Sequence, residues 1–238
     1  MTINQLAAES PVATATPRDV RGFWRVLLAV LAPLPMLAKG IYYIIVPVDG
    51  GADFATSVAG FTAHDGITRI LPYLDMVFVA GLIPATIAVA WAARRTAPRL
   101  TTVGAAIALT GFFAGVSLLG GILTPSLMTA RHALDTAAIG KLDDALNEEP
   151  IVLGAGLLFI IAVVFGLLLL GLALWRSRVA PAWMGFALAV GGFTHPFLPG
   201  HVAQGAGLFV AAVGFAGASV ALLRMRNDEF DLPPRAAA

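Results

Sequence analysis

The chain has 238 residues, 58% of them hydrophobic and only 12% charged, with a formal net charge of +1 and a mean hydropathy of +0.86. Soluble domains carry about twice that share of charge, so a soluble core does not account for the composition, and a polytopic membrane protein is expected. Cysteine is absent, which excludes disulfides, thiolate metal sites and thiol catalysis.

Lysine occurs only at Lys39 and Lys141, the other basic residues being arginine, and Ala and Gly are abundant. This usage points to a GC-rich bacterial genome and so to a bacterial cytoplasmic (inner) membrane.

Met1 to Pro17 are small and polar with no apolar run, so residues 1–22 are expected to form a flexible cytoplasmic tail. Arg18, Arg21 and Arg25 precede an apolar stretch too long for the core of a cleavable signal peptide, which is expected to stay in the membrane. Six segments reach or approach the roughly 20 residues that a hydrocarbon core of about 30 Å requires: 26–46, 70–93, 100–123, 151–175, 180–197 and 202–223. The expected architecture is an all-α transmembrane bundle over residues 23–223, with a second cytoplasmic tail at 224–238. Segment 180–197 is the shortest, and Pro196-Phe197-Leu198-Pro199-Gly200 reads as a tight surface turn; five helices with one re-entrant segment is the alternative.

Arginines set the expected orientation. Arg18, Arg21, Arg25, Arg94, Arg95, Arg99, Arg176, Arg178, Arg224, Arg226 and Arg235 fall on one side, against Arg69, Arg131 and Lys141 on the other. Acidic residues show the reverse bias, so both termini are placed in the cytoplasm. Trp24, Trp91, Trp175 and Trp183 near one boundary and Tyr42, Tyr43 and Tyr73 near the other form the expected interfacial belts.

Pro33, Pro35 and Pro84 are expected to kink the first two helices, with neighbours satisfying the freed carbonyls. Small residues at Gly104, Ala108, Gly111 and Gly115, and at Ala203, Gly207, Ala211, Gly214 and Ala218, form two stripes suited to close helix approach. Trp91, Arg95-Thr96-Ala97-Pro98 and 103–112 echo Trp175, Arg178-Val179-Ala180-Pro181 and 184–193, a possible parallel hairpin repeat.

The segment 170–192, Leu-Gly-Leu-Ala-Leu-Trp-Arg-Ser-Arg-Val-Ala-Pro-Ala-Trp-Met-Gly-Phe-Ala-Leu-Ala-Val-Gly-Gly, together with the six-helix layout, resembles a family of uncharacterised bacterial integral membrane proteins of similar length. The resemblance implies an architecture and transfers no catalytic residue.

Ionisable groups inside transmembrane segments are functional candidates by default. Lys39 and Asp75 lie at comparable depth from the outer ends of the first two segments, where they can pair. A structural ion pair, snorkelling side chains, a proton or solute relay and a catalytic carboxylate are the readings. His64, His132, His195 and His201 all fall on the outer side. They are plain surface histidines, ligands of a divalent metal, or sensors of external pH, since imidazole charges near about pH 6.5.

The outer loop 124–150 carries Leu127, Leu134, Ala138, Leu142 and Ala145 at near-helical spacing, and is expected to form a short amphipathic helix that Gly140 weakens. Asp143, Asp144, Glu148 and Glu149 in this loop are similar to the acidic clusters with which prenyl-transferring enzymes hold magnesium and pyrophosphate. A second such cluster is missing, so a solvated face is the plainer reading.

Phosphate-binding loops, nucleophile elbows and dinucleotide fingerprints are absent, and scattered arginines argue against nucleic acid. No cofactor is expected. The partners expected are the lipid bilayer and either a membrane partner protein or further copies of the chain. Three functions fit: a non-catalytic accessory or sensory component, a small-solute transporter or channel using the Lys39/Asp75 region, or a membrane enzyme acting on a lipid or isoprenoid.

Overall fold

A computed structural model describes residues 19–118 and 124–231; residues 1–18 and 232–238 of the two expected tails and the end of the third segment, at 119–123, lie outside the described residues. Every regular element described is helical. Five runs are long and apolar enough to cross a membrane: Arg21–Ile45, Asp65–Ala93, Pro98–Ser117, Pro150–Ser177 and His201–Arg224. Large apolar side chains cover their outer surface, including Phe113 at 66% exposure and Leu153 and Leu157 at 60% each, as lipid permits and water does not.

The first run consists of α1 (Arg21–Leu31) and α2 (Leu34–Ile45), divided at Pro33. Proline has no N–H to offer the carbonyl four residues back, here that of Ala29. The hydroxyl of Ser219, on the last long helix, donates to that carbonyl at 2.5 Å. The chain then makes α3 (Phe54–Ala63), α4 (Asp65–Thr68) and α5 (Leu71–Ala93), with Pro84 inside α5. Gly81 of α5 lets Pro35 approach: a Cβ at 81 would stand 3.1 Å from the proline ring.

Next come α6 (Pro98–Leu118), α7 (Pro125–His132), α8 (Thr136–Glu148) and α9 (Pro150–Ile161). A π-helical turn at Ala162–Gly166 runs on into α10 (Leu167–Ser177). The stripe expected on α6 is its contact with this fourth run: a Cβ on Gly111 would strike the Leu158 carbonyl, and one on Gly104 would meet Leu169 at 3.0 Å.

The fifth expected segment is α11 (Ala182–Thr194), 13 residues long, followed by a 3₁₀ turn at His195–Phe197 and then by α12 (His201–Arg224) and α13 (Asn227–Phe230). Thirteen residues rise only about 20 Å, too little to span a hydrocarbon core alone, and this explains why five long runs stand where six segments are expected. The short helix nevertheless traverses the bundle. Gly185 lies against Trp175 and Gly192 against Leu167, while Gly214 lies against Leu188 and Gly191 against Ala211. These registers make α11 antiparallel to both α10 and α12.

The two Arg-x-Ala-Pro turns differ in backbone. Arg178 is left-handed at φ 53°, whereas no positive φ occurs at Arg95, so the sequence likeness does not extend to the turn itself.

A cap of α3, α7 and α8 covers the end rich in aspartate. Asp53 caps α3 by accepting from the Thr56 N–H at 2.8 Å and from its hydroxyl at 2.8 Å; Asp135 caps α8 by accepting from Ala137 and Ala138 at 2.9 and 3.1 Å. The loop 124–150 thus holds two helices instead of one, hinged at Ala133, whose φ is 49°. Gly140 is the point of approach, since a Cβ there would meet the Phe54 ring at 3.2 Å. Beneath the cap, Phe61 and Leu127 join Val46 and Leu71 at the ends of α2 and α5 in one apolar cluster.

The opposite, arginine-rich end is closed by α13. Residues 21–22 and 227–230, expected in tails, are helical. Phe230 is buried, and its carbonyl accepts from the Trp91 indole at 3.0 Å and from Arg94 at 2.6 Å.

Candidate functional site

Helix α2 presents Met36, Lys39 and Tyr43 on one face, at spacings of three and four, and α5 presents Asp75, Phe78, Val79 and Leu82 on another. Close contact between Gly40 and Gly205 seats α2 on α12: a Cβ on Gly205 would stand 2.9 Å from the Gly40 carbonyl oxygen. That contact turns Lys39 inward. Its ammonium donates to the Asp75 carboxylate, with side-chain exposures of only 17% and 10%.

Three rings surround the ammonium, with Tyr42, Phe78 and Tyr43 centred 4.0, 5.3 and 5.4 Å from Nζ. Cation–π attraction from desolvated rings and the carboxylate together replace the hydration that the ammonium gives up. In a low-dielectric interior each charge depends on the other.

The pair forms the polar part of the wall of a cavity of about 220 Å³ whose other sides include Gly115, Phe159, Val163, Gly192 and Leu208. Phe159 and Val163 flank the start of the π-helical turn, a feature frequent at functional sites. A second space of about 240 Å³ shares Tyr43, Phe159 and Val163 with the first and reaches Pro196 and Gln204. The second space thus adjoins the first on the side towards the capped end.

His201 binds the backbone of Tyr43, a residue that lines both spaces. Tyr43 precedes Pro47 by four residues, so its carbonyl also lacks a helical donor, and the His201 ring supplies one: Nδ1–H donates to it at 2.7 Å. With Nδ1 as donor, Nε2 faces the Asp49 carboxylate at 3.5 Å. His64 is exposed, its Nδ1 lying 3.0 Å from the Gly60 carbonyl, and His132 is exposed at the end of α7. His195 lies in the 3₁₀ turn, and its side chain is outside the described residues. Among the described residues no three His, Asp or Glu side chains converge as a metal would require.

On or just after α8, Asp144, Glu148 and Glu149 are exposed and Asp143 is half-buried, and none lines the cavity. Partial burial and the neighbouring Asp144 push the Asp143 carboxyl above its ordinary range, and Asn147 donates to it at 3.4 Å.

The structure therefore brings Lys39 and Asp75 together and leaves the histidines and the acidic cluster apart from them. Sequence reasoning missed the aromatic box, although Tyr42 and Phe78 each lie one helical turn from a charged partner, which is the signal that finds them. The class these features define is a helical bundle with membrane-spanning proportions built around a buried ion pair beside a cavity. No protein-family model, curated protein or solved structure matches the chain.

Proposed function

We propose that the chain is a non-catalytic, multi-pass protein of the bacterial cytoplasmic membrane, belonging with the uncharacterised six-helix family that segment 170–192 resembles, and that it binds a small solute between its helices. The observation that carries this reading is the Lys39–Asp75 pair set in the wall of an otherwise apolar cavity. Such a cavity suits a solute with an apolar body and one charged or strongly polar group, because a few placed polar atoms orient a ligand that apolar walls desolvate. Both termini are assigned to the cytoplasm, since the arginine-rich end holds α13 and the start of α1 and positive residues concentrate on that side. An accessory or sensory role follows from binding alone.

Passage of the solute is the second reading. It is favoured by the adjoining space towards Pro196 and Gln204 and by the backbone interruptions at Pro33 and at 162–166, since broken helices recur around transporter sites. The enzyme reading lacks a comparable observation, as the acidic cluster stands outside the cavity.

Native mass spectrometry of the detergent-purified chain tests the proposal. A small molecule retained at one per chain is expected, and Val79→Trp, which fills the cavity, should abolish it at unchanged melting temperature. A wild-type chain that flies bare, and whose melting no membrane extract shifts, would overturn the reading.

A further inference from the structure

At the arginine-rich end a groove of about 460 Å³ lies between the end of α5 and the turn after α10, lined by Thr96, Trp175, Arg176, Arg178 and Ala182. Across Thr96 it adjoins a space of about 360 Å³ that Arg95 and Arg224 enter. We propose that this groove holds the phosphate of an anionic phospholipid.

Charge carries the argument first. The ion pairs among the described residues join Arg21 to Asp19, Lys39 to Asp75, Arg69 to Asp65, His201 to Asp49 and Arg226 to Asp228; Arg95, Arg176, Arg178 and Arg224 enter none of them. Glu229 lines the second space, but its carboxylate accepts from the Arg226 N–H at 2.8 Å, closing the turn of α13. Four arginines thus line two adjoining hollows against a single carboxylate, Glu229, which is engaged at the turn of α13, and a guanidinium matches phosphate oxygens in bidentate fashion.

The backbone adds a second observation. Arg178 ends α10 in the left-handed conformation, where glycine is the usual residue, so an arginine is held at the lip of the groove against local backbone preference.

The surroundings select a lipid over a free phosphate. Trp175 in the groove wall is 52% exposed, and Trp183 and Phe186, on the helix that begins at Ala182, are 61% and 62% exposed, giving an indole layer at headgroup depth with apolar surface beneath it for acyl chains. Arginines at helix C-termini also complement the helix dipole. That effect alone attracts anions diffusely and gives no saturable, headgroup-selective site.

The test is a native mass spectrometric titration of the full chain in neutral detergent with phosphatidylglycerol or phosphatidylcholine of matched chains, with and without excess inorganic phosphate. Phosphatidylglycerol is expected to saturate at one per site and to bind roughly tenfold or more tighter, a difference of about 1.4 kcal/mol. Arg176→Gln with Arg178→Gln should reduce it to the phosphatidylcholine level. Arg178→Gly, which suits the left-handed backbone, should weaken it without lowering the melting temperature, and so covers failure of the double variant to fold. Equal binding of the two lipids, preference surviving in the variants, or displacement of the lipid by inorganic phosphate would each overturn the proposal.

Discussion

The hydroxyl of Ser219 donates to the Ala29 carbonyl at 2.5 Å, in place of the helical N–H that Pro33 lacks. Removing it strands a buried acceptor, so Ser219→Ala should lower stability by about 1–3 kcal/mol. The same change in a Pro33→Ala background, where residue 33 regains its N–H, should cost much less. Thermal unfolding of the four proteins in detergent measures the coupling, and simple additivity would show that the bond does not do this job.

Lys39 and Asp75 should behave as a unit. Lys39→Met or Asp75→Asn alone leaves one uncompensated buried charge and is expected to cost about 3–5 kcal/mol. Lys39→Met combined with Asp75→Leu should recover most of that loss. The readout is again the melting temperature, and a double variant as unstable as the worse single one would contradict the pairing argument.

Glycines separate by surroundings. A Cβ at Gly214 has no room against Leu188, whereas nothing lies within 4 Å of one at Gly154. Gly214→Ala should therefore reduce the folded yield, while Gly154→Ala in α9 should stabilise by up to about 1 kcal/mol through helix propensity. Size-exclusion profiles and melting curves of the two variants check the contrast.

The cap on α3 should be acid-sensitive. Hydrogen bonds from the Thr56 N–H and hydroxyl hold the Asp53 carboxyl below its ordinary range. The folded state thus prefers the ionised form, and its contribution is complete above the unfolded value of about 3.9 and is lost as pH falls from there through the folded value. The protection factor of the Thr56 amide should fall over that acid interval, and Asp53→Asn, which still caps, should remove this pH dependence. Asp143, whose carboxyl is raised, has the opposite sign: its contribution declines as pH rises from the ordinary value to the raised one, so Asp143→Asn should reduce fraying of α8 at neutral pH.

Composition and run length made the all-helical character and the long apolar helices legible, and two ionisable residues at comparable depth in apolar runs made Lys39 and Asp75 legible as partners. Their surroundings were not. A cavity is a property of packing between α2, α5 and the π-helical turn, and no periodicity within one segment reveals it. Likewise α11 carries a full apolar segment in sequence, but Thr194, His195 and Pro196 end its regular helix early. The role of His201 was concealed because the partner it serves is a backbone carbonyl, freed by a proline in a distant part of the chain.

That distance matters during synthesis. Ala29 and Ser219 are 190 residues apart, and ribosomes add about 5–20 residues per second, so the acceptor waits on the order of ten seconds or more for its donor. Lys39 precedes Asp75 by 36 residues and is left alone for a shorter interval. The first helix is therefore the least self-sufficient part of the fold as it is made, and a chain halted before α12 would keep an open carbonyl at the Pro33 break and leave Gly40 of α2 uncovered.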